Sequence, residues 1–399
     1  MTRNPSGSFM SFLPPRRILM GPGPSDVHPR VLAAMARPTI GHLDPAFVAM
    51  MDDIKTLLQY AFHTDNDLIL AVSAPGSAGM ETCFVNLIEP GDRVLVCING
   101  VFGGRMKENV ERCGAIPVAV EFPWGEAVDP VRVAVALGDH PGLKAVCFVH
   151  AETSTGAMSD AGALCKLAHA YGALAIVDVV TSLGGIPVLV DAWRADAVYS
   201  SSQKCLSCTP GLAPVTFSPR AVAVLKTRRT KVPSWFLDLA LVMTYWGSNV
   251  KRAYHHTAPV NALYGLHEAL VMLHEEGLEV AWRRHALHHQ ALRAGLEVMG
   301  LHLLVAESCR LPQLNTVLIP AGVNDTAVRE QLLQRYGLEI GAGLGPLAGK
   351  VWRIGLMGQS ATATNVLTCL SALETTLSAA GAPITTGVAL PAATAVLFS

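Results

Sequence analysis

Three polar groups stand directly behind apolar, β-branched runs of this 399-residue chain. After residues 68–73 comes Ala74-Pro75-Gly76-Ser77-Ala78-Gly79 and then a helical stretch. Small residues and a hydroxyl at a helix start leave N–H groups free to cradle a phosphate. Ile176-Val177-Asp178 ends a buried run on a carboxylate, which is costly to bury without a cation or hydrogen-bond donors. Tyr199-Ser200-Ser201-Ser202-Gln203-Lys204 runs into hydroxyls and a lysine, and a confined lysine loses its proton readily and condenses with an aldehyde. A fourth polar turn, His150-Ala151-Glu152-Thr153-Ser154-Thr155-Gly156, follows the strand before Asp178. Each has a plainer reading alone: a tight turn, Asp178 as a helix cap, Lys204 as a solvated lysine. Taken in order, a phosphate cradle, an aspartate at a strand end and a lysine 26 residues later match what pyridoxal phosphate (PLP) needs.

The elements that must position these groups alternate as in a βα-wound parallel sheet. Seven strands are expected, at 68–73, 93–98, 117–122, 144–150, 173–179, 197–201 and 213–217, with helices at 78–88, 104–113, 130–137 and 160–171 between them. The strands read as continuous apolar runs, as expected when helices cover both faces, and ligands collect at the carboxyl ends of such strands. A long helical region, 262–299, leads into a smaller α+β unit with strands at 316–319 and 352–356 and helices at 325–336 and 363–379. This divides the chain into an irregular arm (1–20), a large cofactor-binding domain (21–282), a small C-terminal domain (283–380) and an irregular apolar tail (381–399).

Composition excludes several functions. Thirty basic and 31 acidic side chains leave a formal net charge of −1, so no basic surface argues for nucleic acid or anionic membrane. Only 15% of residues are charged and 51% are hydrophobic, yet polar or small residues interrupt every long apolar run, and no export signal opens the chain. A soluble, cytoplasmic protein is expected. Nine cysteines, odd in number, do not form a disulfide framework. The Cys205/Cys208 pair beside Lys204 reads as two loop thiols, with oxidative control as the sharper alternative, and the His285/His288/His289 helix face reads as packed or solvated rather than metal-binding. No GxGxxG fingerprint or P-loop is present, which disfavours a nicotinamide dehydrogenase.

The chain resembles the class V aminotransferases of fold type I, and within them the alanine:glyoxylate (serine:pyruvate) group. The likeness rests on Met20-Gly21-Pro22-Gly23-Pro24-Ser25, Glu89-Pro90-Gly91-Asp92, Asn99-Gly100-Val101-Phe102-Gly103, Glu152-Thr153-Ser154-Thr155-Gly156, Val177-Asp178-Val179 and Ser182-Leu183-Gly184-Gly185. It continues through Ser202-Gln203-Lys204, Tyr254-His255-His256-Thr257, Gly343-Leu344-Gly345-Pro346 and Arg353-Ile354-Gly355, spanning roughly residues 17–380.

The resemblance implies Lys204 as Schiff-base lysine and proton carrier, and Asp178 as partner of the cofactor's ring nitrogen. It implies Gly76, Ser77, Ala78 and Gln203 at the phosphate, Thr153 at the ring oxygen, and Phe102 stacked on the ring face where many relatives carry tryptophan. Arg353 would grip the substrate carboxylate, and Tyr254 and Thr257 would reach the phosphate of a neighbouring subunit, making a homodimer with shared sites. The implied reaction is a ping-pong transfer of the amino group of L-alanine, or L-serine, to glyoxylate, with no metal. The alternatives are a serine:glyoxylate or serine:pyruvate specialist, a cysteine desulfurase, and a cofactor-free oligomer that keeps the fold. No further basic residue is evident for a second substrate carboxylate.

Overall fold

The computed structural model describes residues 10–247 and 252–398; residues 1–9 of the expected arm and the last residue of the expected tail lie outside it. All seven expected strands form one sheet: β1 (Leu68–Val72), β2 (Arg93–Ile98), β3 (Ile116–Glu121), β4 (Ala145–Val149), β5 (Leu174–Asp178), β6 (Ala197–Tyr199) and β7 (Ala213–Phe217). Their spatial order is β1-β7-β6-β5-β4-β2-β3, with β7 antiparallel to both neighbours and the other pairs parallel. Every residue of β1, β4, β5 and β7 is buried, which explains why these strands read as continuous rather than alternating apolar runs. Fully burying each Val, Leu or Ile contributes about 1.5–3 kcal/mol. β3 is an edge strand, where Pro117 removes no needed ladder donor and Ile116 and Glu121 face solvent.

Four helices bear on the placement of the polar groups. α1 (Gly76–Leu87) follows β1 and α2 (Val101–Arg112) follows β2, so both begin at the carboxyl edge of the parallel strands. The expected helical region at 262–299 consists of two helices, α3 (Val260–Glu276) and α4 (Leu278–Val298). The chain turns between them at Gly277, whose φ of 82° suits glycine and few other residues. One large apolar cluster runs from Val31 to Ala281; a second joins Met20 to residues from Ala291 to Ala393, so the change from one core to the other falls within α4.

The second core holds an antiparallel trio of strands, β8 (Leu314–Leu318), β9 (Gly341–Ala342) and β10 (Val351–Gly355), with helices α5 (Asp325–Tyr336) and α6 (Ala363–Ala379). The arm is not wholly irregular, since Ile18 and Leu19 pair in parallel with Leu338 and Glu339. The tail expected to be irregular carries helix α7 (Ala389–Leu397), which packs on α4 and α6. Ala389 and Ala393, one turn apart, are fully buried and let the helix approach closely, and Pro391 is tolerated because it lies in the first turn. Glu374, the one charged side chain after Arg353, accepts the Gly387 N–H at 2.6 Å and anchors the turn into α7. Among the described residues no helix is long and apolar enough to cross a membrane.

Candidate active site

Asp178 ends β5 and is 2% exposed. Its Oδ1 accepts the Val180 N–H at 2.8 Å and its Oδ2 accepts the Tyr199 hydroxyl at 2.8 Å. Burial pushes this carboxyl up to about 7, against the pull of those two donors and of Lys204. After β6 the chain enters the buried Ser200-Ser201-Ser202 turn, where Ser202 donates to the Thr209 carbonyl at 2.6 Å and Ser201 to the Gln203 side-chain oxygen. Lys204 then projects back, its Nζ donating to the Pro22 carbonyl, and burial lowers its ammonium to about 8. The Met20–Ser25 segment closes over it: Ser25 donates through N and Oγ to the Gln203 and Lys204 carbonyls, both at 2.9 Å. Gly23 has φ 114°, and a Cβ there would stand 2.4 Å from Lys204 Nζ, so only glycine suits the position.

The first turn of α1 has no side-chain cap. The Ala78 N–H is already committed to the Pro75 carbonyl at 2.8 Å, which leaves the turn's remaining N–H groups on buried Gly76 and exposed Ser77. A Cβ on Gly76 would stand 2.6 Å from Ser201 Cβ, which ties this helix start to the loop that carries Lys204. The Ser77 hydroxyl accepts from Arg105 Nη1 at 3.2 Å, and the Arg105 guanidinium lies 4.9 Å from the centre of the Phe102 ring.

Arg353, in β10, is buried, at 7% exposure. It donates through Nε to the Ala342 carbonyl at 2.7 Å and through Nη1 to the Thr153 carbonyl at 3.0 Å. Among the described residues it has no ion-pair partner, and burial lowers its pKa to about 10. Phe102, Thr153 and Arg353 are thereby joined through one turn, since the Phe102 amide donates to the Glu152 carboxylate at 3.2 Å.

Within one chain Tyr254 and Thr257 are not joined to these groups. Both are exposed, Tyr254 at 63%, and the Tyr254 ring lies 5.5 Å from that of His42. Cys205 and Cys208 are free and buried, and burial pushes their thiols up to about 12 and about 11, which disfavours the reactive thiolate and counts against oxidative control. The three histidines of α4 are packed. His285 bridges the Ala281 carbonyl and the Gly358 amide, His288 contacts the Arg284 carbonyl, and His289 contacts Asn315 at 2.6 Å.

Sequence reasoning assigned no role to Tyr199, Arg105, Pro22 or Glu152. Arg105 carried a usable signal, lying three residues after Phe102 on the same helix face. Tyr199 did not, because its pairing with Asp178 depends on which strands are neighbours.

The family described as Aminotransferase class-V matches residues 25–354. The chain is similar to the solved alanine–glyoxylate aminotransferase of Nostoc sp., at 46% identity and a TM-score of 0.91, over 94% of this chain and 99% of that one. It is similar to the solved ureidoglycine–glyoxylate aminotransferase of Bacillus subtilis, at 39% identity and a TM-score of 0.95, over 98% of this chain and 100% of that one. It is 41% identical to the alanine–glyoxylate aminotransferase of Oryctolagus cuniculus, over 91% of this chain and 93% of that protein.

Proposed function

The chain belongs to the class V aminotransferases, a PLP-dependent family, and on that premise we propose that it carries the amino group of L-alanine, or L-serine, to glyoxylate. The products are pyruvate or hydroxypyruvate, and glycine, formed in two half-reactions of a ping-pong cycle. The observation that carries this reading is Arg353, a buried guanidinium that forms no salt bridge among the described residues, feels only the more distant Glu152 carboxylate, and is shaped to grip a single substrate carboxylate with its fork. A donor with one carboxylate fits such a site better than aspartate or glutamate. Glyoxylate is supported as acceptor because all three relatives above are named for it.

The residues present fit PLP. Asp178 is a buried carboxylate with two neutral donors and, among the described residues, no ion-pair partner; α1 starts uncapped, and Lys204 is a confined amine of lowered pKa. When bound, the cofactor supplies the aldehyde that takes up the amino group and a ring that withdraws electrons from the substrate α-carbon. Asp178 holds the proton on the ring nitrogen. Lys204 carries the proton between the substrate α-carbon and the cofactor's C4′. Gly76, Ser77 and Gln203 hold the phosphate, Thr153 meets the ring oxygen, and Phe102 covers the ring face. Tyr254 and Thr257, exposed on one chain, reach the phosphate of the other subunit in a homodimer with shared sites. Nine free cysteines support a reducing, cytoplasmic setting.

The test is the visible absorbance of the purified protein on addition of alanine, serine, (S)-ureidoglycine or aspartate. Bleaching by alanine or serine, reversed by glyoxylate, is expected. A second reading, ureidoglycine as donor, is favoured by the 98% of this chain that the Bacillus subtilis structure covers. Bleaching by ureidoglycine alone would establish it. A protein that no amino acid bleaches would overturn both.

A further inference from the structure

The first turn of α2 leaves backbone N–H groups that the helix itself cannot satisfy. Gly100, at the cap position, brings no side chain, and no residue of the local sequence caps the turn. The cap comes instead from the Glu152-Thr153-Ser154 turn beyond β4. Val101 N donates to Ser154 Oγ at 2.9 Å, and Phe102 N donates to Glu152 Oε2 at 3.2 Å. The Gly103 amide donates to the same carboxylate, and Gly104 N to the Gly100 carbonyl at 3.3 Å. Ser154 is itself held by Glu152 Oε1, through its N–H at 3.0 Å and its hydroxyl at 2.6 Å. Glu152 is fully buried, and a negative group at a helix start is favoured by the helix dipole. The fit leaves no slack, because a Cβ on Gly100 would stand 2.4 Å from both Glu152 Cγ and Ser154 Oγ.

The same turn faces the other way as well. The carbonyl of Thr153, between the two capping residues, receives Arg353 Nη1 at 3.0 Å. One buried carboxylate thus stands between the residue read as the cofactor-ring cover and the residue read as the substrate grip. We propose that Glu152 is a positioning residue of the transamination site, setting the distance between the Phe102 ring and the Arg353 guanidinium. This rests on the roles proposed above for those two residues. A local cap on α2 would have satisfied the helix equally well; a cap carried on the Arg353-bearing turn also holds the ring face and the carboxylate grip in register across the substrate α-carbon.

The test uses Glu152→Gln, which keeps the shape but turns an amide donor toward a set of donors, and Ser154→Ala, which leaves the carboxylate and its bonds from the Phe102 and Ser154 amides but removes the hydroxyl's contacts with Val101 N and Glu152 Oε1. The dissociation constant of PLP from the apoprotein, the visible circular dichroism of the bound cofactor, and kcat and KM for alanine are measured in each. Expected for Glu152→Gln are increases of about tenfold in both the PLP constant and the alanine KM, a weakened dichroic band, and smaller shifts in the same direction for Ser154→Ala. In a Phe102→Leu background the effect of Glu152→Gln on PLP binding should vanish while its effect on KM persists. Lowered melting temperatures with PLP constant, dichroism and KM all within about twofold of wild type would reduce Glu152 to a structural cap. Ser154→Ala decides alone when Glu152→Gln does not accumulate. Alanine bleaching with unchanged PLP binding sinks only this role; absent bleaching sinks the donor assignment while the PLP measurements still stand.

Discussion

Tyr199 donates its hydroxyl to Asp178 Oδ2 at 2.8 Å from the neighbouring parallel strand, where the two residues are register partners. The bond favours the ionised carboxylate and opposes the burial that pushes Asp178 up to about 7. Tyr199→Phe should raise this carboxyl further. If the ionised form holds the proton on the cofactor's ring nitrogen, as proposed, PLP affinity of the variant should begin to fall, as pH is lowered, at a higher pH than in wild type. Equilibrium dialysis of apoprotein with PLP, from about pH 6 to about pH 9, checks this. Superimposable pH profiles would remove Tyr199 from the site's electrostatics.

Asp178 also links site chemistry to stability. Its folded-state pKa, about 7, lies above the ordinary 3.8, so the fold favours the protonated form. The stability this group contributes is fully present below 3.8 and is lost as pH rises through about 7. At about pH 8 the apoprotein therefore carries a buried charge that Asp178→Asn removes. The variant should melt above wild type there, by a gap that narrows toward about pH 5, while activity falls at least about a hundredfold. Melting curves of the two apoproteins across that range decide it; a variant less stable than wild type at the alkaline end would show that burial is not what raises Asp178.

The sheet was legible because each strand is a short, unbroken apolar run and each helix start carries Gly, Pro or a cap, signals that act over a few residues. The positions of Asp178 and Lys204 at the sheet's carboxyl edge were legible for the same reason, as Asp178 is the last residue of β5 and Lys204 lies five residues beyond the end of β6. Tyr199, Arg105 and Glu152 act through partners 21, 28 and 50 residues away, and local pattern does not encode such distances. The tail was misread because an Ala-rich, nearly uncharged segment shows no amphipathic contrast. Its helix follows from the apolar surface of α4 and α6, which exists only once the second core has formed.

Lys204 is confined enough that burial lowers its ammonium to about 8. Only the neutral amine attacks an aldehyde. The rate at which apoprotein takes up PLP should therefore rise with pH around a midpoint near 8 rather than near 10.5, the ordinary value. Stopped-flow absorbance reads this rate directly, and a midpoint at the ordinary value would show an amine open to solvent. Lys204→Ala should slow the alanine half-reaction by at least about a thousandfold, as loss of a positioned acid–base group does.

The exposure of Tyr254 and Thr257 on a single chain yields the sharpest test of shared sites. Lys204→Ala and Tyr254→Ala each disable both sites of a homodimer if Lys204 serves its own site and Tyr254 the partner's. A mixed dimer then contains one site with both lesions and one with neither. Random refolding of equal amounts makes half the molecules mixed, so about a quarter of wild-type activity should return although each parent is nearly inactive. If each site were built from one chain, every site would carry one lesion and mixing would return only the average of the parents. The measurement is activity of the two variants before and after joint denaturation and refolding, with wild type carried through as control. Mixing without refolding should restore nothing, because exchange requires the subunits to separate.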